Sequence, residues 1–266
     1  MSDSFVKIKP LYLAIVFITV LLGSLLVHIP AGFVAQTSAV KAQLDNAGVT
    51  VSSTTGTLWN GSANLRYKQQ SLGELKWNLQ AMSLLMLKAD LNFNWQLKNS
   101  ELKGDINTGL LNLENLDLVN IEGVVQLDQA MQIAQNINPK IPSLLSGLAG
   151  KLEIENLDTS IDLHNRWPKK LQAETKLTGL NFMGNQFPST KLSLQQAEAE
   201  LSPIDTSILG EGKGWNLTGQ LQLNPKLNYS GDIEVKAATE NSLPDWAFLM
   251  PRKSPTHYSM QVNGRF

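Results

Sequence analysis

The chain has 266 residues, and 22 basic against 23 acidic side chains leave a formal net charge of -1. That balance holds no surplus of Lys and Arg with which to grip nucleic-acid phosphates. The absence of cysteine excludes disulfide frameworks, thiol catalysis and Cys-ligated metal centres. Three histidines leave little room for a His-rich metal site. At 42% hydrophobic, the chain can still build a core for one large domain or two small ones.

The first predicted element is a transmembrane helix over residues 10–30. No Asp, Glu, Lys or Arg occurs between Lys9 and Lys41, and Leu11 to Ile29 is almost continuously apolar. A helix needs about 20 such residues to cross the ~30 Å hydrocarbon layer. Leu11, Ile15, Ile18, Leu22, Leu25 and Ile29 are the anchor positions. Pro10 fits the first helical turn and Pro30 ends the run. Lys7 and Lys9 flank its start, so the positive-inside bias makes residues 1–9 a cytoplasmic tail and carries residues 31–266 across the membrane. A cleaved signal peptide is the alternative. Its apolar region spans roughly 7–15 residues before a small-residue cleavage site. This run is longer, and the sites around Ala35 and Ala39 fit that pattern only in part.

A short helix is expected over Phe33 to Ala47, with Gly48 at its C-terminal stop. Beyond it the period changes to two. Leu91, Phe93, Trp95 and Leu97 alternate with Asn92, Asn94, Gln96 and Lys98, as in a half-buried strand. The alternation recurs at Leu65–Tyr67, Leu75–Leu79, Leu116–Leu127 (with slips), Leu152–Ile154, Ile161–Leu163 and Leu171–Leu177. It returns at Leu192–Leu201, Trp215–Leu223, Leu227–Ala237 and Tyr258–Phe266. Gly73, Asn99-Ser100, Asn224-Pro225 and Ser230-Gly231 read as turns. One apolar and one polar face per strand predicts an antiparallel meander, covered on one side only.

Helical interruptions are few. Ser83 to Lys88 reads as a helical turn or a buried strand. Asp128 caps a helix over Gln129 to Ile137, ended by Pro139. Pro142 to Leu148 is a second short apolar piece. Ser242 caps a short helix through Trp246 and Phe248, stopped by Pro251. Leu111–Asp117 and Leu152–Asp158 form a faint internal repeat, which suits a sheet that grows by adding similar strands.

No motif in the chain carries catalysis. His28, His164 and His257 stand alone, and no Gly-x-Ser-x-Gly elbow occurs. Gly210-Glu-Gly-Lys-Gly214 lacks phosphate-loop spacing and reads as a flexible loop. Asn60, Asn216 and Asn228 open glycosylation sequons, which chance explains in an Asn-rich chain. The chain therefore reads as a non-enzyme without cofactor or metal. Trp77, Trp95 and Trp215 fall on the apolar phase of their strands. With Leu91, Phe93, Leu97 and Leu217 they are the candidate lining of a core or groove.

Trp59 sits in a local motif, Gly56-Thr-Leu58-Trp59-Asn-Gly61-Ser-Ala63. Preceded by a membrane span, a short helix and a Val49-x-Val51 strand, this motif resembles the type II secretion system protein N family (GspN) of Gram-negative bacteria. Leu75–Leu79, Met82–Lys88, Pro251 and the closing Tyr258–Phe266 strand fit the same layout. A related Gly-x-Leu-x-x-Gly element opens the strand region of AsmA-like envelope proteins. The Leu58-Trp59 pair and the short chain favour the secretion family. The resemblance implies a non-enzymatic accessory subunit, set in the inner membrane with its bulk in the periplasm. The machine it serves exports folded proteins across the outer membrane. The family supplies no catalytic residue.

Two functional readings follow. In the first, the sheet binds other inner-membrane or periplasmic secretion subunits through an edge or its apolar face. In the second, a long curved sheet forms an AsmA-like half-pipe whose apolar groove holds phospholipid. An apolar face closed by the helices favours the first, and a groove open toward Phe33 and the membrane favours the second.

Overall fold

The computed structural model describes residues 28–46, 48–68, 70–137, 147–165, 167–182, 184–197, 199 and 201–265. Lys7, Lys9 and the expected membrane span up to Val27 lie outside these residues, as do residues 142–146 of the piece Pro142 to Leu148. Among the described residues no helix is long and apolar enough to cross a membrane.

The chain enters through α1 (Ala31–Ala35) and α2 (Ser38–Asn46). The expected single helix over Phe33 to Ala47 is thus two helices. The Thr37 hydroxyl donates to the Val34 carbonyl at 2.8 Å, which closes the first helix. The Thr37 carbonyl then accepts the Lys41 amide at 2.9 Å and starts the second. Strands β1 (Val49–Gly56), β2 (Asn60–Tyr67) and β3 (Gln70–Leu79) follow, then the short helix α3 (Ala81–Leu85). Next come β4 (Lys88–Leu97), β5 (Ser100–Gly109), β6 (Asn112–Gln126) and helix α4 (Leu127–Ile137). The second half contains β7 (Ala149–Asp162), β8 (Trp167–Phe182), β9 (Asn185–Gln186), β10 (Thr190–Gln196), β11 (Ile204–Gly212), β12 (Trp215–Leu223) and β13 (Asn228–Ala237). Two 3-10 segments, Glu240–Ser242 and Asp245–Leu249, precede β14 (Arg252–Ser254) and β15 (His257–Arg265).

All strands join one open antiparallel sheet in nearly sequential order, with β9 pairing only β8 and β14 outside β15. The predicted mainly β architecture, a long antiparallel meander with few short helices, is the architecture observed. Cross-strand partners share a face. A line of paired residues runs from Ala63 through Leu75, Trp95 and Leu102 near one end. It reaches Leu192, Ile208, Gly219, Ile233 and Met260 at the other. One whole face of the sheet is therefore apolar. The expected slips in β6 are bulges around Asn120, whose φ is 54°.

Several expectations are corrected. Strands β5 and β11 carry no clear alternation, because Gly104 and Thr108, or Thr206 and Gly210, stand where an apolar side chain would show. Gly210–Gly212 ends β11, so only Lys213 and Gly214 form the turn there. Gly73 and Ser230-Gly231 lie inside β3 and β13, not at turns. A side chain at Gly231 would meet the Gln220 carbonyl oxygen at 2.1 Å, and this close strand approach explains its glycine. The strand expected over Leu192–Leu201 stops at Gln196. Of the two readings for Ser83–Lys88, the helical turn is the one observed, and Leu85, Met86 and Leu87 are exposed there. Ser242 ends one 3-10 segment instead of capping a helix, and Pro244 precedes the next. Of the two repeat segments, Leu152–Asp158 lies within β7, whereas the other begins at the turn residue Leu111 and continues into β6.

The apolar face is covered unevenly. At the C-terminal end the Asp245–Leu249 segment lays Trp246 and Ala247 on Leu217, Val235 and Tyr258. Trp246 stacks on Phe187 at 5.0 Å and meets the edge of Trp215 at 5.4 Å. At the N-terminal end α1 and α2 lie against β1. Helix α4 follows one rim of the sheet. The Ser100 hydroxyl donates to the Gln129 side chain at 3.2 Å, and the Asn136 amide donates to Gln70.

A meander places alternate connections at opposite rims. The first rim holds the β2–β3, β4–β5, β6–β7, β8–β10, β11–β12 and β13–β14 connections. The second rim holds β1–β2, β3–β4, β5–β6, β7–β8, β10–β11 and β12–β13. The chain arrives at the second rim: the Leu58 amide donates to the Ile29 carbonyl at 2.9 Å, and Pro30 bridges Thr57.

Candidate functional site

The motif Gly56 to Ala63 builds the corner where the chain enters. Gly56 has φ 79°, and a Cβ there would lie 2.4 Å from the Asn60 carbonyl oxygen, so the turn requires glycine. The Thr57 amide donates to that same oxygen at 2.8 Å. A Cβ on Gly61 would lie 2.7 Å from Trp77 Cζ2. The indole therefore packs on bare backbone, and its N–H donates to the Leu58 carbonyl at 3.0 Å. The Trp59 carbonyl accepts the Leu79 amide at 2.6 Å, and the Trp59 ring is half-buried. Ala63 is buried. Together these contacts join the incoming chain, the β1–β2 turn and β3 in one unit.

Beneath this corner lies an apolar cavity of about 270 Å³, lined among others by Ala31, Val34, Leu58, Ala63, Trp77 and Leu91. Of the other candidate lining residues, Phe93, Trp95 and Leu97 continue the same face along β4. The Trp95 indole N–H donates to the Leu72 carbonyl at 2.7 Å, and Leu97 is buried. Trp215 and Leu217 belong to the C-terminal cluster at the far end of the sheet. The seven residues therefore lie in two separate regions of the sheet, and of them Trp77 and Leu91 border the cavity. Of the anchor residues, Ile29 alone is described, and it holds the Leu58 amide.

Alternation did not identify Trp167 or Trp246. Trp167 opens β8, is buried, and donates to the Ser202 carbonyl at 3.0 Å. Trp246 sits in a 3-10 segment, where no alternation exists. Its buried indole nitrogen has no hydrogen-bond partner in the structure. The one available signal was an aromatic following Pro244-Asp245.

The opposite face of the sheet is polar. Thr55, Ser62, Lys76, Asn94, Lys103 and Glu122 stand in register across six strands. They border a shallow depression of about 670 Å³. Lys103 meets Glu122 at 2.9 Å, and this hydrogen bond raises the Lys103 pKa. Hydrogen bonds from Asn94, then Gln96, lower that of Glu101. These are local pairings of opposite charge, the arrangement expected of a solvated sheet face. At the β7–β8 turn, Asp162 accepts the His164 amide at 2.8 Å and the Asn165 amide at 3.3 Å, and Lys169 lies 3.3 Å away. The His164 bond is the chief cause of its lowered pKa. Among the described residues no group of three or more His, Asp or Glu side chains could hold a metal ion.

Comparison with known proteins agrees with the family resemblance. The family model for type II secretion system protein N matches residues 47–248. A type II secretion system protein N of Aeromonas hydrophila is 26% identical over 238 residues, covering 88% of this chain and 87% of its own. One from Vibrio cholerae serotype O1 is 35% identical over 103 residues, covering 36% of this chain and 38% of its own. No solved structure matches. The family model spans the motif corner and nearly the whole sheet, and this chain belongs to the type II secretion system protein N family.

Proposed function

We propose that this chain is a non-enzymatic accessory subunit of the type II secretion system, supporting the export of folded proteins from the periplasm across the outer membrane. Residues 10–30 hold it in the inner membrane, residues 1–9 stay cytoplasmic, and residues 31–266 form the periplasmic domain. The family match carries this reading. Its partners are other inner-membrane or periplasmic subunits of the machine. The sheet offers a means of contact: among the described residues β1 has no strand on its outer side, and β15 pairs β14 only at Tyr258 and His257. Unpaired strand edges accept an added strand through main-chain hydrogen bonds.

The apolar cavity under α1 and α2 favours a second reading, an AsmA-like lipid-binding or lipid-transfer role. At about 270 Å³ it falls just below the usual range of ligand pockets, ~300–1,000 Å³. It would take part of an acyl chain and leave the rest outside.

Native purification in mild detergent, with mass spectrometry of protein and lipid, separates the two. Secretion subunits at stoichiometric level are expected. Phospholipid in fixed ratio without any secretion subunit would overturn the first reading in favour of the second. Removing the protein from its host should leave exported enzymes in the periplasm and deplete them from the medium.

A further inference from the structure

Among the described residues, the connections on the two rims of the sheet differ in chemistry. Connections on the first rim place Lys68, Lys98, Asn99 and Lys213 in solvent. Among the described residues, its exposed large hydrophobics are Ile137, at the end of α4, and Phe248 and Leu249 of the C-terminal 3-10 segment. Each connection on the second rim after the entry corner exposes at least one large apolar side chain. The β3–β4 connection exposes Leu85 and Met86, at 78% and 76%. The β5–β6 turn exposes Leu111 at 83%, and Leu163, Leu201 and Leu227 follow in the next three connections. Neighbouring connections are tied side by side. The Leu110 amide donates to the Leu87 carbonyl at 2.9 Å, and the Leu163 amide to the Glu114 carbonyl at 2.8 Å. A soluble surface seldom arranges exposed Leu and Met in such a row.

Non-glycine residues with positive φ occur in turns on both rims, and the side chains they carry differ. Leu87, Leu201 and Leu227 have φ values of 56°, 57° and 60°. Leucine is costly in this left-handed region, where Gly or Asn is the usual choice. Turn positions with positive φ on the first rim carry Lys68, Lys98 and Gly214. On the second rim leucines stand where the first rim has lysines, with their side chains about half exposed.

We infer that the second rim rests on the lipid bilayer, its apolar turns dipping into the interfacial layer of the membrane. The occupant is lipid because of where the chain enters. The uncharged run from Leu11 to Ile29 ends on this rim, where Ile29 and Pro30 join Leu58 and Thr57. An anchor emerging there places this rim, not the opposite one, against the bilayer. Exposed Lys88 and Lys226 adjoin Leu87 and Leu227, with ammonium groups able to reach lipid phosphates while the stems follow the apolar turns. The inference rests on the anchor reading of residues 10–30. It goes further by standing the strands on the membrane through six successive connections.

The absence of cysteine makes the test direct. The full chain is placed in nanodiscs of phosphatidylethanolamine and phosphatidylglycerol and carries one environment-sensitive fluorophore. The labelled variants are Met86→Cys, Leu111→Cys or Leu201→Cys on the second rim and Asn99→Cys or Lys213→Cys on the first. Second-rim labels should emit at shorter wavelength, lose emission to a spin-labelled lipid and resist iodide in the water. First-rim labels should behave in the opposite way. If the chain stays in the disc and second-rim labels are quenched by iodide like the controls, the rim inference fails while the anchor stands. If they resist both quenchers, residues 1–27 or another protein surface covers the rim, and the inference is again overturned. If the chain does not co-elute with the disc, anchor and rim fail together.

Discussion

Gly61 and Leu227 show backbone space being used in opposite ways. At Gly61 a methyl group would lie 2.7 Å from both Trp77 Cζ2 and the Thr55 carbonyl oxygen. Gly61→Ala must therefore displace the indole or open the turn, at a cost of about 1–3 kcal/mol. The urea midpoint should fall, and tryptophan emission should shift to longer wavelength as Trp77 loses its site. At Leu227 the strain belongs to the native residue, at φ 60°. Leu227→Gly should stabilise the domain by roughly 0.5–1 kcal/mol, the left-handed penalty less glycine's entropy, seen as a higher Tm. Asp162 adds a pH response. The His164 amide, burial, the Asn165 amide and Lys169 act on its carboxyl, with a net lowering of its pKa. The folded form thus holds the proton less tightly than the unfolded chain. Its stabilising effect is complete above the unfolded pKa of about 3.9 and is lost as pH falls through the folded value. Asp162→Asn should flatten the acid limb of stability against pH, measured by urea unfolding from neutral pH down to about 3.

At the scale of elements, the C-terminal 3-10 segment does the most covering with the fewest residues. Trp246 fills the space between Phe187 and Trp215, and Ala247 beside it is fully buried. Trp246→Ala should cost about 3–5 kcal/mol and abolish much of the near-ultraviolet circular dichroism. The segment was legible only as a short helix, because a 3-10 turn imposes neither of the periods that hydrophobic patterns report. The strands were far more legible, since each has one face in water and one against apolar cover. Where glycine or threonine takes the inward position, as at Gly104 in β5 and Gly210 in β11, the alternation fades while the pairing persists.

For the whole molecule, the sequential strand order means that each strand touches mainly its two neighbours. Stability in such arrays is close to a sum of local terms. The buried cluster lies at the β12–β15 end, and that end should be the last to open. Unfolding followed through Trp215 and Trp246 should have a higher urea midpoint than unfolding followed through Trp77 and Trp95, each pair isolated by Trp→Phe replacement of the others. Amide exchange should be slowest in β12, β13 and the paired part of β15. One coincident transition for both pairs would show instead that the sheet folds as a single cooperative unit.

Sequence alone determined the mainly β class, the meander, the polar and apolar faces and the family motif. Each is written in local periodicity or in a short contiguous string, and antiparallel neighbours need no distant information to pair. The roles of the candidate lining residues were beyond its reach. Trp77 and Trp215 have the same phase in the same kind of strand, yet one lines an entry-corner cavity and the other the terminal core. Only the tertiary structure decided this, because the segments covering the two ends come from outside the strands. It also gathered Leu111, Leu163, Leu201 and Leu227 onto one rim. Successive members lie between 26 and 52 positions apart in the chain, and only the alternation of a folded meander brings them to the same side.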